Sequence, residues 1–318
     1  TYLNELLNEK VPAYQLSYTP HPLQPDLKEN DFHLINRFYF LNPKPQDKER
    51  SYLWQVESPF QIDTNPKTHE KNFKKIFTYF KSKTNGKNII YLPIPYNYPT
   101  PLNTNYFQKT VLLAQVATYY TKRPKYCIYH LRNEMIQWML ETHPTDIIFC
   151  GNYWDGLKRK LSSQTQKHFD TQYKGYCADK FSTISKAKFA LAFENATFPD
   201  YVTEKIFDVM TAGTVPIYAG APNITNYVPK ECFIDYNNFK SPKELYQFIS
   251  KMPKEEYFSY INCINKFLEK PEKHANHWKN VTHTLFKHLK LDQTVIDKEK
   301  TFQGFIKKIK NIFQDLKN

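Results

Sequence analysis

The chain has 318 residues, which is enough for two domains of ordinary size. Its 41% hydrophobic and 16% aromatic content predicts buried cores and, with 24% charged residues, excludes a disordered polar chain. A net charge of +13 fits nucleic acid, an anionic membrane surface or a phosphorylated substrate as the partner. No zinc-finger spacing or RNA-recognition motif accompanies the lysines, which disfavours nucleic acid.

The cysteines are odd in number, widely spaced and without a CxxC pair, so the sequence predicts no disulfide framework and favours a reducing compartment. They are Cys127, Cys150, Cys177, Cys232 and Cys263. No run of about 18 apolar residues occurs, so we expect no membrane span in this chain. The first residue is Thr1, which is compatible with earlier removal of an anchor or signal segment.

Short apolar runs predict buried strands, and apolar residues at three- and four-residue spacing predict helices between them. The predicted strands are Ser51–Val56, Ile89–Leu92, Tyr126–Tyr129, Ile147–Cys150, Phe189–Phe193, Val215–Tyr218 and Phe233–Ile234. The predicted helices include Asn133–Thr142, Glu204–Ala212 and Pro242–Met252. This alternation indicates parallel sheets covered by helices.

A short basic turn, Thr121–Pro124, is the candidate boundary between two α/β domains, residues 1–122 and 123–296. The remaining tail, residues 297–318, places apolar side chains such as Phe302, Ile306 and Phe313 on one face of a predicted amphipathic helix. Docking onto the chain's own domains is the slightly favoured role of this helix. The alternative is peripheral contact with an anionic membrane.

The segment of residues 188–220 carries the clearest chemistry. The strand Phe189–Phe193 delivers Glu194 and Asn195 at its carboxyl end, where open α/β sheets bind their ligands. Sequons begin at Asn195, Asn223 and Asn280, but a glycan would not fit at Asn195 inside such a site.

A helix is predicted to follow, with Thr203 as its N-cap and Gly213 ending it. Its N-terminus would attract phosphate through free backbone N–H groups, and Lys205 adds a full positive charge there. Glu204 would accept hydrogen bonds from hydroxyls such as those of a ribose. From residue spacing alone, the preferred interpretation is that Glu204 only stabilises the helix dipole and that Lys205 is a solvated surface residue.

The run FALAFEN followed by DYVTEKIFDVMTAGTVPIYAGAPNITNYVPKECFIDYNNF strongly resembles the donor-binding motif of the α1,3/4-fucosyltransferases, glycosyltransferase family 10. Weaker resemblances extend along the chain. YLWQVESP (Tyr52–Pro59) is similar to the acceptor-domain segment of that family, and LRNEMIQWML (Leu131–Leu140) to the helix carrying its phosphate-binding arginine.

This resemblance implies the GT-B architecture, in which two Rossmann-like domains face each other across a cleft, the acceptor domain first and the donor domain second. It also implies transfer of L-fucose from GDP-β-L-fucose to an N-acetyllactosamine-type oligosaccharide in α1,3 or α1,4 linkage. By motif match, Arg132 and Lys205 would hold the diphosphate, Glu204 the ribose, and Asn195 and Tyr201 the phosphate and sugar region. Glu194 would contact the fucose ring or hold the loop in place.

Glu57 is the predicted general base, because it ends the run Ser51–Val56 and the Ser58–Pro59 turn follows it. Without the resemblance, a solvated strand-end carboxylate would be the preferred interpretation. No Asp-x-Asp pair occurs in the chain, so we expect no metal and no other cofactor, with Arg132, Lys205 and the helix N-terminus supplying the positive charge.

Two further functions stay open: a GT-B glycosyltransferase using another nucleotide sugar, and a non-catalytic nucleotide- or carbohydrate-binding protein. For location, we expect bacterial cytoplasm with peripheral contact at the inner membrane. The alternative is the Golgi lumen, as a catalytic domain cut from its anchor.

Overall fold

The computed structural model describes residues 33–36, 48–59, 65–101 and 109–289. This part of the chain forms two compact units, one of residues up to Asn97 together with those from Glu272 onward, the other Tyr98–Pro271. The predicted tail helix of residues 297–318 lies outside the described residues.

The first unit contains, among its described residues, a parallel sheet in the order β1-β2-β3-β4. The strands are β1 (His33–Asn36), β2 (Ser51–Gln55), β3 (Lys75–Thr78) and β4 (Ile89–Tyr91). All five residues of β2 are buried, as expected for an inner strand of a covered parallel sheet. The helix Trp278–Leu289 returns to this unit, where Trp278 donates its backbone N–H to the Tyr96 oxygen at 3.0 Å.

The second unit contains, in its described part, a parallel sheet in the order β6-β5-β7-β8-β9. The strands are β5 (Val111–Val116), β6 (Ile147–Cys150), β7 (Ala187–Phe193), β8 (Val215–Ala219) and β9 (Ile234–Asp235). The helices are Tyr129–Thr142, Asp155–Lys158, Ser163–Gln172, Lys180–Ser185, Glu204–Thr211, Pro242–Ser250 and Lys254–Leu268.

Local sequence explains where several of these helices begin. Ser162 accepts a hydrogen bond from the backbone N–H of Thr165, and Ser241 accepts one from Glu244, so both are N-caps. Pro242 occupies the first helical position, where its missing N–H costs nothing.

The boundary between units differs from the sequence-based division at residue 122. Strand β5 precedes that position yet pairs with β6 and β7 of the second sheet. Among the described residues, Glu272–Leu289 also belong to the first unit, although they lie before the predicted domain end at residue 296.

The predicted strand Tyr126–Tyr129 is wrong. Tyr126 adopts a left-handed backbone with φ of 70°, Cys127 makes a single antiparallel bridge to Ala196, and Tyr129 begins a helix. A strand cannot pass through a left-handed residue without a break.

The sequence predicted no disulfide framework, but the structure contains a disulfide. Cys232 and Cys263 form a disulfide, with their Cα atoms 5.3 Å apart, between the segment before β9 and the helix Lys254–Leu268. Their separation of 31 residues in sequence hides this pairing from spacing arguments. None of the helices in the described part of the chain is long and apolar enough to cross a membrane.

Candidate active site

The strand order of the second sheet indicates where a ligand would bind. Strands β6 and β7 lie on opposite sides of β5, so the order of connection reverses between β5 and β7. Open α/β sheets bind ligands outside the carboxyl ends of the strands at such a switch point. Glu194 and Asn195 follow β7 directly, as predicted, and therefore lie at this edge.

Arg132 lies in the helix Tyr129–Thr142 and is 1% exposed. Its Nη2 donates to the backbone oxygens of Phe193 at 2.7 Å and Glu194 at 2.9 Å, with a longer contact of 3.5 Å to Asn195 Oδ1. The guanidinium lies over the ring of Tyr129, 4.4 Å from its centroid. Arg132 thus joins its helix to the end of β7.

The Nε of Arg132 is buried and has no hydrogen-bond partner among the described residues. Burial lowers the pKa of Arg132, while Tyr129 and Glu194 act to raise it. Since a guanidinium remains charged in proteins, this nitrogen is a charged donor that lies buried without a partner among the described residues.

Glu194 is fully buried and its carboxylate is fully engaged. Oε1 accepts from the backbone N–H of Thr203 at 2.8 Å, and Oε2 accepts from the Thr203 hydroxyl at 2.7 Å. Lys205 Nζ lies 3.4 Å from Oε2. Burial raises the pKa of Glu194, and the positive charge of Lys205 opposes this shift. Of its two predicted roles, this geometry supports holding the loop.

Gly220 has no side chain, and the Glu194 side chain occupies the space where one would lie. A Cβ atom at Gly220 would lie 2.5 Å from Glu194 Cγ and 2.6 Å from the hydroxyl oxygen of Tyr218. Strands β7 and β8 are neighbours, so the glycine lets the Glu194 side chain pass close to the end of the next strand.

The helix Glu204–Thr211 begins with Thr203 as its N-cap, as predicted, although the Thr203 hydroxyl binds Glu194 instead of a helix N–H. Lys205 Nζ lies 2.9 Å from Thr203 Oγ1 and 3.3 Å from Glu204 Oε1. Burial works against the ammonium charge, but Glu204 and Glu194 together raise the pKa of Lys205. A charged lysine and the first N–H groups of a helix therefore coincide, an arrangement that is typical of anion-binding sites.

Glu204 keeps its side chain 48% exposed beside Lys205. Partial burial acts to raise its pKa, but Lys205 and Lys180 lower the pKa of Glu204 to about 2. The carboxylate is therefore ionised at neutral pH and can accept hydrogen bonds from ligand hydroxyls.

Asn195 and Tyr201 lie on the connection between β7 and this helix. The backbone oxygen of Asn195 accepts from Ile128 at 3.2 Å, which ties the connection to the start of the arginine's helix. Tyr201 is 3% exposed and near enough to Arg132 to affect the pKa of the guanidinium. The six residues predicted to bind the donor are thus gathered in one unit: Arg132, Glu194, Asn195, Tyr201, Glu204 and Lys205.

Glu57 lies in the other unit, just beyond the carboxyl end of β2, where it was predicted. It is partly exposed, and its backbone oxygen accepts a hydrogen bond from the Tyr79 hydroxyl at 3.1 Å. Its catalytic role stays a prediction.

Sequence reasoning missed two contributions to the site. Thr203 was recognised only as an N-cap, and its bonds to Glu194 carry no sequence signal because they depend on how the connection between β7 and the helix Glu204–Thr211 folds back on itself. Tyr129 precedes Arg132 by three positions, a spacing that puts both side chains on one helix face and would have indicated their contact.

Residues 130–307 match the sequence model described as "Glycosyltransferase family 10 (fucosyltransferase) C-term". A relative from Mus musculus, "4-galactosyl-N-acetylglucosaminide 3-alpha-L-fucosyltransferase 9", is 35% identical over 121 residues, 36% of this chain and 33% of the relative. A Bos taurus relative, "3-galactosyl-N-acetylglucosaminide 4-alpha-L-fucosyltransferase FUT3", is 34% identical over 135 residues, 41% of this chain and 36% of the relative. The matches thus span about a third of these curated relatives.

Among solved structures, an "alpha1,3-Fucosyltransferase with GDP" superimposes with a TM-score of 0.51 at 15% identity, covering 84% of this chain and 81% of that one. The structure of TarM superimposes with a TM-score of 0.53 at 9% identity, covering 82% of this chain and 54% of that one. These likenesses establish the fold, a mixed α/β architecture with parallel sheets of the GT-B class.

Proposed function

Because the chain belongs to glycosyltransferase family 10, the fucosyltransferases, we propose that it transfers L-fucose from GDP-β-L-fucose to a glycan hydroxyl. The observation that carries this proposal is the charged cluster at the switch point of the second sheet. There Lys205, Arg132 and a helix N-terminus lie around the end of β7, with the ionised Glu204 beside them.

The donor's diphosphate binds the positive part of this cluster. Lys205 and the first N–H groups of the helix Glu204–Thr211 offer charge and directed donors, and the guanidinium of Arg132 adds a second positive charge near Lys205. Glu204 accepts hydrogen bonds from the ribose hydroxyls. Asn195 and Tyr201 line the phosphate and sugar region.

Catalysis follows from the charge that develops on the departing GDP. The bond between fucose C1 and the phosphate oxygen breaks, and this oxygen gains negative charge as the acceptor oxygen attacks the opposite face. Lys205 and Arg132 are already fixed in place, so they stabilise that charge without reorganisation. The β-linked donor then gives an α-linked product.

Glu57 takes the proton of the attacking hydroxyl in this proposal. Its place just beyond a strand's carboxyl end, where parallel sheets bind ligands, suits a general base. The positive charge that neutralises the departing GDP comes from the protein, so the reaction needs no divalent metal.

The acceptor is an N-acetyllactosamine-type oligosaccharide, joined in α1,3 or α1,4 linkage. The names of both relatives state action on galactosyl-N-acetylglucosaminides, one at position 3 and one at position 4, which supports the acceptor class and leaves the position open.

Two cellular locations follow from different observations. The basic charge and the predicted tail helix support bacterial cytoplasm at the inner membrane surface. The Cys232–Cys263 disulfide supports an oxidising compartment, such as the Golgi lumen.

A donor panel tests this function. Incubation with an N-acetyllactosamine acceptor and GDP-fucose, GDP-mannose, UDP-galactose or UDP-glucose should release nucleotide with GDP-fucose alone. Release of UDP would indicate a GT-B enzyme with another donor. GDP binding without turnover on any acceptor would indicate a non-catalytic binding protein.

A further inference from the structure

Asp200 joins the loops that follow two neighbouring strands, β7 and β8. Its backbone N–H donates to Asn223 Oδ1 at 2.9 Å, and Asn223 Nδ2 donates back to Asp200 Oδ1 at 2.7 Å. The Tyr227 hydroxyl donates to the same Oδ1 at 2.9 Å. We call Asp200, Asn223 and Tyr227 the Asp200 cluster.

The backbone at Asp200 is in a sparsely populated conformation. Its φ of 65° is left-handed, a region that aspartate tolerates better than most residues but that is still unfavourable. The surrounding turn is tight, because Tyr201 donates to the Phe198 oxygen at 3.2 Å and Val202 to the Asp200 oxygen at 3.0 Å. Such a turn persists only where other bonds hold it, and the Asp200 cluster provides them.

The hydrogen bonds of the cluster stabilise a carboxylate that is buried. Asp200 is 8% exposed, and a covered carboxylate without hydrogen bonds would be costly. Asp200 immediately precedes Tyr201 and lies three residues before Thr203, the residue that makes both hydrogen bonds to the Glu194 carboxylate. The direction in which the chain leaves Asp200 therefore sets where Tyr201 and the helix N-terminus lie.

We propose that Asp200, Asn223 and Tyr227 are positioning residues for the donor site, holding the turn of residues 198–201 so that Tyr201 and the N-terminus of helix Glu204–Thr211 face a bound nucleoside diphosphate sugar. This rests on the proposed function. The cluster makes the loop after β8 part of the donor site, although none of its three members is itself assigned a donor contact.

The Asp200 cluster also bears on whether the sequon at Asn223 can be glycosylated. Asn223 begins the sequence Asn-Ile-Thr, and the amide nitrogen that a glycan would occupy donates to Asp200. A glycan would replace one of the two hydrogens on this nitrogen and would crowd Asp200, so we expect none at Asn223 in the folded enzyme.

The test compares Asp200→Gly, Asp200→Asn and Asn223→Ala in the full chain, with Asn226→Ala as a matched control. The glycine substitution keeps the left-handed backbone accessible and removes the carboxylate, whereas the asparagine substitution keeps an acceptor oxygen for both bonds. Asn226 is an exposed asparagine on the same turn as Asn223. The Kd for GDP, the KM for GDP-fucose, kcat and the melting temperature are measured for each.

Asp200→Gly and Asn223→Ala should each raise the Kd for GDP and the KM for GDP-fucose roughly ten-fold, well below their melting temperatures, with a smaller fall in kcat. The double variant should raise the Kd and the KM no more than either single variant, because both substitutions break the same cluster. Asp200→Asn should restore most of the affinity, and Asn226→Ala should match the wild type.

Wild-type affinity and KM in folded Asp200→Gly and Asn223→Ala proteins would overturn the proposal and leave the cluster with a role in stability alone. If the wild-type enzyme itself neither bound GDP nor used GDP-fucose, the proposed function would fail and this assignment with it. The two failures are distinct, since the first appears only in the variants.

Discussion

Lys205 carries its charge beside two carboxylates. The burial of its ammonium would lower the pKa, but Glu204 and Glu194 raise it, so the lysine stays protonated through the physiological range. A fixed ammonium of this kind stabilises charge on a departing phosphate more effectively than a solvated surface lysine would.

We therefore expect Lys205→Ala to lower kcat by roughly 10²–10³-fold and to weaken GDP binding as well, because charge on the leaving oxygen grows in the transition state. Arg132→Ala should do the same and also lower the melting temperature, since Arg132 bonds the end of β7. Steady-state kinetics and GDP titration measure both effects. Lys167→Ala, at an exposed lysine, is the control, and a wild-type kcat in either variant would assign that residue a structural role.

Glu57→Gln keeps the size and shape of the side chain but cannot accept the acceptor's proton. We expect kcat to fall by roughly 10²–10⁴-fold while the Kd for GDP changes little. Glu49→Gln, at an exposed residue paired with Lys74, should leave both quantities unchanged. A Glu57→Gln enzyme with full rate on a good acceptor would place the base elsewhere.

Secondary structure at the donor site could be predicted well because it is encoded locally. The apolar run before Glu194 and the cap at Thr203 predicted the end of β7 and the start of the next helix at the correct positions. Strands β1, β3 and β5 were missed, since short apolar runs cannot be separated from helix or loop by periodicity.

The prediction of a strand at Tyr126–Tyr129 was wrong for a different reason. Its aromatic and β-branched residues favour a strand, but Tyr129 begins the helix that carries Arg132, and Arg132 bonds the end of β7, 61 residues away. Tertiary contacts therefore overrode the local preference. The Asp200 cluster was unpredictable for the same reason, since Asn223 and Tyr227 lie 23 and 27 residues from Asp200. The bonds from Thr203 to Glu194 span only nine residues, but they depend on how the irregular connection between them folds.

The disulfide between Cys232 and Cys263 ties the start of β9 to the helix Lys254–Leu268, and both belong to the second unit. Closing a loop of about 31 residues should stabilise the folded state by roughly 3–4 kcal/mol in the chain-entropy account. We expect a Cys232→Ser/Cys263→Ser double variant to show a lower melting temperature.

Cys177→Ser, at a partly buried free cysteine, is the control for that change. Thiol titration of the unfolded, non-reduced protein should find three free cysteines. Five free thiols in protein purified from its native compartment, with an unchanged melting temperature in the double variant, would contradict the disulfide.

At the scale of the whole molecule, the positive groups proposed to bind the donor diphosphate all belong to the second unit. The described second unit gathers Arg132, Lys205 and the helix N-terminus, which can neutralise a diphosphate without a bound cation. We therefore expect fucosyl transfer to continue in excess EDTA at an unchanged rate. Loss of activity with EDTA and its recovery with manganese or magnesium would contradict this assignment.

The most direct measurement is the structure of the product formed from GDP-fucose and N-acetyllactosamine, determined by NMR. We predict stoichiometric release of GDP and an α-linked fucose on position 3 of the N-acetylglucosamine, or on position 4 when the isomeric acceptor leaves that hydroxyl free. A β-linked product, or hydrolysis of GDP-fucose with no fucosylated glycan, would contradict inverting fucosyl transfer.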